Sequence, residues 1–234
     1  MPEPGAVVVV GGTQGLGLEV ARHYTGQGRE VFLSGRDPRR AETVAAELGG
    51  RARGIGLDLA EPWELADRLA GVGEVAHLVL AAIERDDNRV RSFDLKAATR
   101  LATLKLVGNT QTIHLLAPRM GPESSVVLFG GRAKDRPYPG STMVSAVNGA
   151  VTGLASSLAV ELAPIRCNAI HPGIVGDSPF WSVKGDAALE PVRDRTPTRR
   201  LATMQDVVGA VVFLLENRSV NGENLHVDGG WLLL

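Results

Sequence analysis

The sequence predicts an α/β fold of the doubly wound kind, in which a parallel sheet of about seven strands carries helices on both faces. Short runs rich in Val, Ile and Leu alternate with longer helical runs along the chain. The short runs are apolar at nearly every position, a pattern typical of strands buried on both faces of a parallel sheet. The length of 234 residues fits one domain, so we predict a single domain over residues 1–234.

The alternation places the elements in a regular order. Strands are predicted at 6–10, 30–34, 52–57, 75–80, 125–129, 165–170 and 224–227. Helices are predicted from a glycine turn to Gly28, and over 38–48, about 61–70, 94–107, 109–119, about 141–162 and 204–216. Two segments interrupt the alternation, the charged stretch 84–92 and the stretch from 175 to about 200, and we predict both as loops.

Composition excludes several classes of protein. The 25 basic and 26 acidic residues leave a net charge of -1, so no overall field attracts nucleic acid or an anionic membrane. The single cysteine, Cys167, excludes an intramolecular disulfide and a zinc cluster, and no metal site is predicted. Because no basic segment precedes the first apolar run, we predict a cytoplasmic protein. The longest clearly apolar stretch, Val207–Leu215, is far shorter than the roughly 20 residues of a membrane span, so no membrane partner is expected.

The first strand runs directly into a glycine-rich turn, residues 11–17, and a helical run follows. Glycines there let the backbone bend tightly and let a pyrophosphate approach without a Cβ in the way, while the first N–H groups of the helix face the anion. This context predicts a Rossmann-like dinucleotide site. The alternative is that the glycines only allow the backbone to turn and bind no ligand. The predicted pyrophosphate-binding residues are Gly11, Thr13, Gln14, Gly15 and Leu16.

The end of the second strand indicates which dinucleotide is bound. An NAD site carries an acidic residue there, which binds the ribose 2′-hydroxyl, whereas this chain has Gly35 followed by Arg36. The guanidinium of Arg36 suits a 2′-phosphate, with Arg39 and Arg40 close behind, so NADP is predicted in preference to NAD. Arginine is abundant in this chain, at 21 of the 25 basic residues. The alternative is therefore that Arg36 is an ordinary surface residue with no role in binding.

Asp58 and Leu59 follow the third strand and should lie at the same edge of the sheet. The carboxylate of Asp58 could accept a hydrogen bond from the adenine amino group, which makes both residues cofactor-binding candidates. The alternative is an acid that stabilises the N-terminal end of the next helix.

Together these features resemble the short-chain dehydrogenase/reductase family over nearly the whole chain. Five stretches match the family in order, namely VVVVGGTQGLG, SGRDPRR, Asp58-Leu59, SLAVELAPIRCNAIHPGIV and GENLHVDGG. The resemblance implies an oxidoreductase fold that binds a nicotinamide dinucleotide. It also implies that Pro172 and Gly173 pass close to the nicotinamide, and that Ala81 and Ala82 stand in the cofactor motif after the fourth strand.

The resemblance further implies where the family's catalytic groups would stand, and this chain departs from the family at those positions. The family uses a tyrosine as acid and base, a lysine four residues later that lowers the tyrosine pKa, a serine and an asparagine. No tyrosine in this chain is followed four residues later by a lysine. The aligned positions hold Val144 for tyrosine, Asn148 for lysine, Gly131 or Gly130 for serine and Lys105 for asparagine.

We therefore expect a degenerate oxidoreductase that binds NADP(H) as a binding, sensing or partner subunit. The alternative is an NADPH-dependent reductase of an unknown carbonyl or alcohol with a substitute acid, for which Tyr138 and Lys105 are candidates. A fold that has also lost its cofactor is a third possibility. Each candidate acid has a structural explanation, since Tyr138 suits a packed turn and Lys105 could reach the surface or pair with Asp177. His171 is expected to be a turn residue bonded to backbone, and Cys167 an inert core thiol.

The chain is also expected to form a homodimer or homotetramer. The helix over 144–163 carries small and apolar residues on more than one face, and the chain ends in the apolar run Trp231-Leu-Leu-Leu. The resemblance implies association through such helices and the last strand. The pocket walls are expected from 84–92, 132–140 and 175–200, whose conformations no periodicity fixes, so the substrate stays open.

Overall fold

The structure, a computed structural model, describes residues 5–234 and contains all seven predicted strands. Their bounds are β1 Ala6–Val10, β2 Glu30–Gly35, β3 Arg51–Gly56, β4 Val75–Leu80, β5 Met120–Phe129, β6 Arg166–Pro172 and β7 Asn224–Val227. The strands form one sheet in the order β3-β2-β1-β4-β5-β6-β7, and every neighbouring pair is parallel. The predicted doubly wound α/β fold is therefore confirmed.

The helices follow the predicted order with two corrections. Their bounds are α1 Gly15–Gly26, α2 Pro38–Leu48, α3 Leu65–Arg68, α4 Leu95–Ala102, α5 Asn109–Leu116, α6 Thr142–Glu161, α7 Pro179–Ser182, α8 Asp186–Arg195 and α9 Met204–Glu216. The stretch predicted as a loop from 175 to about 200 contains α7 and α8, because Pro179 starts a single turn and one apolar side chain, Leu189, anchors the second helix. The helix predicted near 61–70 is only a 3₁₀ turn followed by the one-turn α3.

Two apolar cores lie on opposite faces of the sheet. On one face α5 and α6 bury side chains such as Ile113 and Val151 against the strands. On the other face α1 and α9 bury side chains such as Val20 and Val211. Successive valines of β1 alternate between the two cores, because neighbouring side chains of a strand point to opposite faces. This is why the strand runs are apolar at every position.

Helix α6 bears on the prediction that the chain has no membrane span, because it is long and apolar. The helix has 20 residues, and an 18-residue window within it reaches a mean hydropathy of 1.5, so it is long and apolar enough to cross a membrane by length and composition alone. In the fold, 33% of that window is buried, and Val151, Ala155 and Leu158 belong to the core on one face of the sheet.

The strand order positions a crevice at one edge of the sheet. The chain moves outward from β1 to β2 and β3 on one side, and to β4, β5, β6 and β7 on the other. In doubly wound folds the carboxyl ends of the two strands at such a reversal flank the ligand-binding crevice. Here those strands are β1 and β4, so the segments that follow them face each other across the crevice.

Candidate functional site

The turn between β1 and α1 requires glycine at two positions. Gly11 has a φ of +85°, and a Cβ there would lie 2.6 Å from the Cα of Ala82. A Cβ at Gly17 would overlap the carbonyl oxygen of Gly11, so only glycine lets α1 pack this closely on the end of β1. Ala81 completes the contact, since its N–H donates to the carbonyl of Val10 at 2.9 Å. The loops after β1 and β4 therefore touch at the crevice.

The N-terminal end of α1 fits a pyrophosphate. Gln14, the residue before the helix, makes no side-chain hydrogen bond to the first-turn amides, and its amide oxygen instead accepts from Arg40 Nη2 at 3.0 Å. Gly15 has no atom within 4 Å of a notional Cβ, so the space in front of the first turn is open. Leu16 packs against the core beneath. Open space in front of uncapped helix amides is what an anion needs.

The end of β2 excludes an acidic side chain at the position that NAD-binding proteins use. A Cβ at Gly35 would lie 2.7 Å from Cγ2 of Thr13. The next residue, Arg36, is largely exposed, and its Nη1 lies 3.1 Å from Oε1 of Glu84. Asp37 accepts hydrogen bonds from the backbone N–H groups of Arg39 and Arg40 and so caps α2.

The carboxylate of Asp58 is held by two protein partners. Its Oδ1 accepts from the backbone N–H of Ala60 at 2.9 Å, and its Oδ2 accepts from Arg100 Nη2 at 2.8 Å. Burial alone would raise the pKa of Asp58, but the hydrogen bonds from Arg100 and Ala60 and the charges of Arg100 and Arg36 lower it on balance. Leu59 is buried in the core.

Sequence reasoning missed Glu84 and Arg100, which join Arg36 and Asp58 in one ion network. Arg100 Nε lies 2.8 Å from Oε2 of Glu84, while the other end of the same guanidinium holds Asp58. We define the four residues Arg36, Glu84, Arg100 and Asp58 as the edge network. Glu84 opens the charged stretch 84–92 that the sequence predicts as a loop, and its place soon after β4 puts it at the carboxyl edge of the sheet.

The predicted nicotinamide-side residues lie at the end of β6. Pro172 is the last residue of that strand, and the N–H of Gly173 donates to the carbonyl of Val227 in β7 at 2.9 Å. A Cβ at Gly173 would lie 2.7 Å from Cβ of Asp228, so this turn also requires glycine. The two residues thus stand at the same edge of the sheet as the glycine turn.

Three residues expected from the sequence at the family's catalytic positions, Gly131, Val144 and Asn148, lie close together in space. A Cβ at Gly131 would lie 2.8 Å from Nδ2 of Asn148, whose side chain is buried on α6. Val144 precedes Asn148 by about one helical turn and is half-buried. Gly130 faces the imidazole of His171. Together these residues present a valine, an amide and glycine backbone.

Lys105 is fully buried, which contradicts both structural explanations that the sequence offered. It lies in a π-helical turn, Thr103–Gly108, between α4 and α5, and its Nζ donates to the carbonyl of Phe129 at 2.6 Å and to that of Ala82 at 3.4 Å. Burial lowers the pKa of Lys105 to about 8. Asp177 is engaged elsewhere, because its Oδ1 accepts from the N–H of Met204. The amine instead bridges the ends of β4 and β5.

Tyr138 lies in the turn before α6, as expected. Its side chain is 55% exposed, and its backbone N–H and carbonyl both bond the hydroxyl of Ser141. Cys167 is a buried thiol whose pKa burial raises to about 12, in agreement with an inert core residue. His171 corrects the expectation of a turn residue, because it is buried within β6, where its Nε2 pairs with Oδ1 of Asn224.

A second ion cluster, also missed, lies beside the glycines after β5. Arg132 is buried, with Nε 3.0 Å from Oδ2 of Asp228 and Nη1 3.1 Å from Oδ2 of Asp135. Asp228 follows β7, so this cluster ties the last strand to the loop after β5. The signal available in the sequence was an arginine directly after Gly130-Gly131. Within residues 5–234, no group of His, Cys, Asp and Glu side chains is arranged to hold a metal.

Comparison with known proteins identifies the family. Residues 10–232 match the family model described as Enoyl-(Acyl carrier protein) reductase. Carbonyl reductase [NADPH] 2 of Sus scrofa is 30% identical over 234 residues, which cover 96% of this chain and 95% of the relative. Short-chain dehydrogenase/reductase malC of Malbranchea aurantiaca is 26% identical over 248 residues, covering 97% of this chain and 94% of the relative.

Solved structures agree with the sequence matches. The MalC Reductase/Diels-Alderase from Malbranchea aurantiaca superposes with a TM-score of 0.89 at 27% identity, over 98% of this chain and 97% of that one. A short chain dehydrogenase/reductase family protein superposes with a TM-score of 0.88 at 28% identity, over 99% of both chains. The glycine turn, the sheet order and these matches lead to one conclusion: the chain belongs to the short-chain dehydrogenase/reductase family.

Proposed function

We propose that this protein binds NADP(H) but is a degenerate oxidoreductase, which acts as a binding or partner subunit. The observation that supports this most directly is that Gly131 and Asn148 stand side by side, with a Cβ at Gly131 only 2.8 Å from Nδ2 of Asn148, where the family pattern has a serine hydroxyl and a lysine ammonium. A glycine, an amide and the apolar Val144 offer no group that exchanges a proton near neutral pH. When bound, a nicotinamide dinucleotide would supply hydride chemistry, and the glycine turn at residues 11–17 would hold its pyrophosphate.

Members of the family bind nicotinamide dinucleotides, and the end of β2 supports NADP for this chain. Gly35 has no room for an acid, and Arg36 offers a cation at the position that a 2′-phosphate would reach. The relative from Sus scrofa carries NADPH in its name. These points favour NADP over NAD.

Fluorescence titration with NADPH and NADH tests the cofactor proposal. We expect tighter binding of NADPH, and about a tenfold or greater loss of NADPH affinity in Arg36→Gln, because a charge-assisted hydrogen bond is removed. Arg68→Gln, an exposed arginine on α3, is the matched control and should bind like wild type. Equal affinity for the two dinucleotides, or none for either, would contradict NADP binding.

Turnover tests the degenerate chemistry. Wild-type protein saturated with NADPH should leave its absorbance unchanged with a panel of ketones and aldehydes, since the general acid is missing. The triple variant Gly131→Ser, Val144→Tyr and Asn148→Lys should gain measurable reductase activity, and the replacement at 148 removes the amide that the serine Cβ would meet. Steady turnover by clean wild-type protein would reverse the proposal.

The second candidate function is an NADPH-dependent reductase of a carbonyl or alcohol with a substitute acid. Its support is Lys105, a buried amine with a pKa of about 8 at the ends of β4 and β5. The relatives named above as reductases also favour it, and one of them is named both a reductase and a Diels-Alderase. If turnover is seen, Lys105→Met should abolish it under this proposal. If Tyr138→Phe abolishes it instead, the exposed phenol of Tyr138 is the acid.

We also propose a homodimer or homotetramer in the cytoplasm. Helix α6 exposes Ala146, Ala150, Gly153 and Ser157, the small side chains that the sequence marked for association. Leu158, which the sequence of this helix also offered as an apolar residue for association, is buried in the core instead. Leu233 and Leu234 at the chain end are largely exposed, which supports a partner there as well. Light scattering on purified protein tests the oligomeric state, and fractionation of expressing cells tests the cytoplasmic location.

A further inference from the structure

We propose that Glu84 is a specificity-determining residue, an internal anion that competes with the ribose 2′-phosphate of NADP for Arg36. The inference rests on the proposed cofactor function and refines it. Under it, Arg36 favours NADP while Glu84 reduces that preference, so the balance between NADP and NAD depends on the pair and not on the arginine alone.

The geometry of the edge network carries the proposal. Glu84 divides its two carboxylate oxygens between two arginines, with Oε1 3.1 Å from Arg36 Nη1 and Oε2 2.8 Å from Arg100 Nε. The three residues belong to different segments, which follow β2, follow β4 and lie in α4. Glu84 therefore makes a contact with Arg36 that a phosphate oxygen would otherwise make.

The two halves of the network differ in how firmly they are held. Arg100 is bound at both ends, by Asp58 at 2.8 Å and by Glu84 at 2.8 Å, and its side chain is 30% exposed. The hydrogen bond that Arg100 donates to Asp58 is the main cause that raises the pKa of Arg100. Arg36 is 68% exposed and has one carboxylate partner among the described residues. Arg100 therefore fixes Glu84 in place, and Arg36 is the partner that is free to exchange.

If Arg36 exchanges Glu84 for the 2′-phosphate, we expect Glu84 to have a moderate effect on the affinity for NADP. Exposed ion pairs contribute little, so the pair between Arg36 and Glu84 cannot exclude a phosphate that offers Arg36 a doubly charged partner. The fixed carboxylate nevertheless repels a phosphate placed beside it and neutralises part of the arginine charge. A ligand without the 2′-phosphate does not compete for Arg36, so its affinity should depend much less on Glu84.

The test uses ligands that differ only in that phosphate. Isothermal titration calorimetry of the full chain with 2′,5′-ADP and 5′-AMP, and with NADPH and NADH, compares wild type with Glu84→Gln. We expect affinity for 2′,5′-ADP and NADPH to rise about three- to tenfold in Glu84→Gln, with little change for 5′-AMP and NADH. Glu47→Gln, the same change at an exposed position of α2, is the matched control and should leave all four affinities unchanged.

A double variant separates competition for Arg36 from general repulsion. In an Arg36→Gln background, Glu84→Gln should give no gain for 2′,5′-ADP, and a gain of the same size there would overturn the proposal. If wild type binds the dinucleotides and Glu84→Gln leaves the ratio of NADPH to NADH affinity unchanged, this inference fails while the proposed function stands. If neither wild type nor Glu84→Gln binds any of the four ligands, the proposed function fails and this inference with it.

Discussion

At Lys105 and Gly17 the surrounding atoms determine what the residue can do: burial changes the proton affinity of Lys105, and close packing permits only glycine at position 17. Lys105 has no carboxylate within hydrogen-bonding distance among residues 5–234, and two backbone carbonyls satisfy its amine. Such a group gives up its proton more readily than an exposed lysine, because burial penalises the charged form. Gly17 is constrained by shape alone, since any Cβ there meets the carbonyl of Gly11.

The buried amine of Lys105 should make stability depend on pH. The folded chain holds its pKa at about 8, whereas the unfolded chain has the ordinary value of 10.5, so the unfolded chain binds more protons between these two pH values. The free energy of unfolding should therefore rise with pH across that window, by about 3 kcal/mol relative to Lys105→Met. Urea unfolding at pH 7 to 10.5 measures it. The exposed Lys96→Met is the control, and a difference between wild type and Lys105→Met that stays constant with pH would contradict the burial.

Gly17→Ala should destabilise the fold by about 1–3 kcal/mol, because the added Cβ pushes α1 away from the end of β1. Gly26→Ala is the matched control, since it lies in the same helix with nothing within 4 Å of its notional Cβ. That variant should be neutral or slightly more stable. Thermal unfolding of the two variants compares them directly. Equal loss in both would mean that helix propensity, and not the contact with Gly11, sets the cost.

At the level of secondary-structure elements, one π-helical turn and the cap of one helix determine how neighbouring segments are placed. The π-helical turn Thr103–Gly108 joins α4 to α5 without a break, and Gly108 within it packs against the backbone of Leu59. This contact brings the turn close to the loop after β3, while Lys105 in the same turn reaches the ends of β4 and β5. Helix α9 instead begins with a reciprocal cap, in which Thr203 and Asp206 each bond the other's backbone N–H.

The cap of α9 makes a prediction about the helix that covers one face of the sheet. Thr203→Ala should lower the free energy of unfolding by about 1 kcal/mol, because the N–H of Asp206 loses its acceptor. Thr203→Ser keeps the hydroxyl and should stay within a few tenths of wild type. Denaturant unfolding of both variants provides the measurement, and an equal loss in Thr203→Ser would point to the methyl group instead of the cap.

Across the molecule, the helix layer on one face of the sheet is grooved. One helix layer leaves a shallow groove between the π-helical turn, α5 and α6, lined by Leu106, Val107, Thr110, Gln111, Ala150, Gly153 and Leu154. Val107 is 51% exposed and Val160, further along α6, is 78% exposed. An apolar face of this kind supports the proposed association of two chains.

Ala150→Arg should weaken that association, because a long charged side chain would lie in the groove where the proposal places a second chain. Light scattering coupled to gel filtration should show a smaller assembly than wild type at the same concentration. Ala46→Arg, the same change at an exposed position of α2, is the control and should leave the mass unchanged. An unchanged mass in Ala150→Arg would place the interface on another surface.

The seven strands, most of the helices and the glycine turn were predictable from the sequence, because each depends on local periodicity or on backbone freedom at particular positions. The expectation that Gly131, Val144, Asn148 and Lys105 stand at the family's catalytic positions also comes from the sequence. The partners of the charged residues, in contrast, follow from the three-dimensional fold. Asp58 and Arg100 are 42 residues apart and Arg36 and Glu84 are 48 apart, and no periodicity records which side chains meet when strands distant in the chain become neighbours.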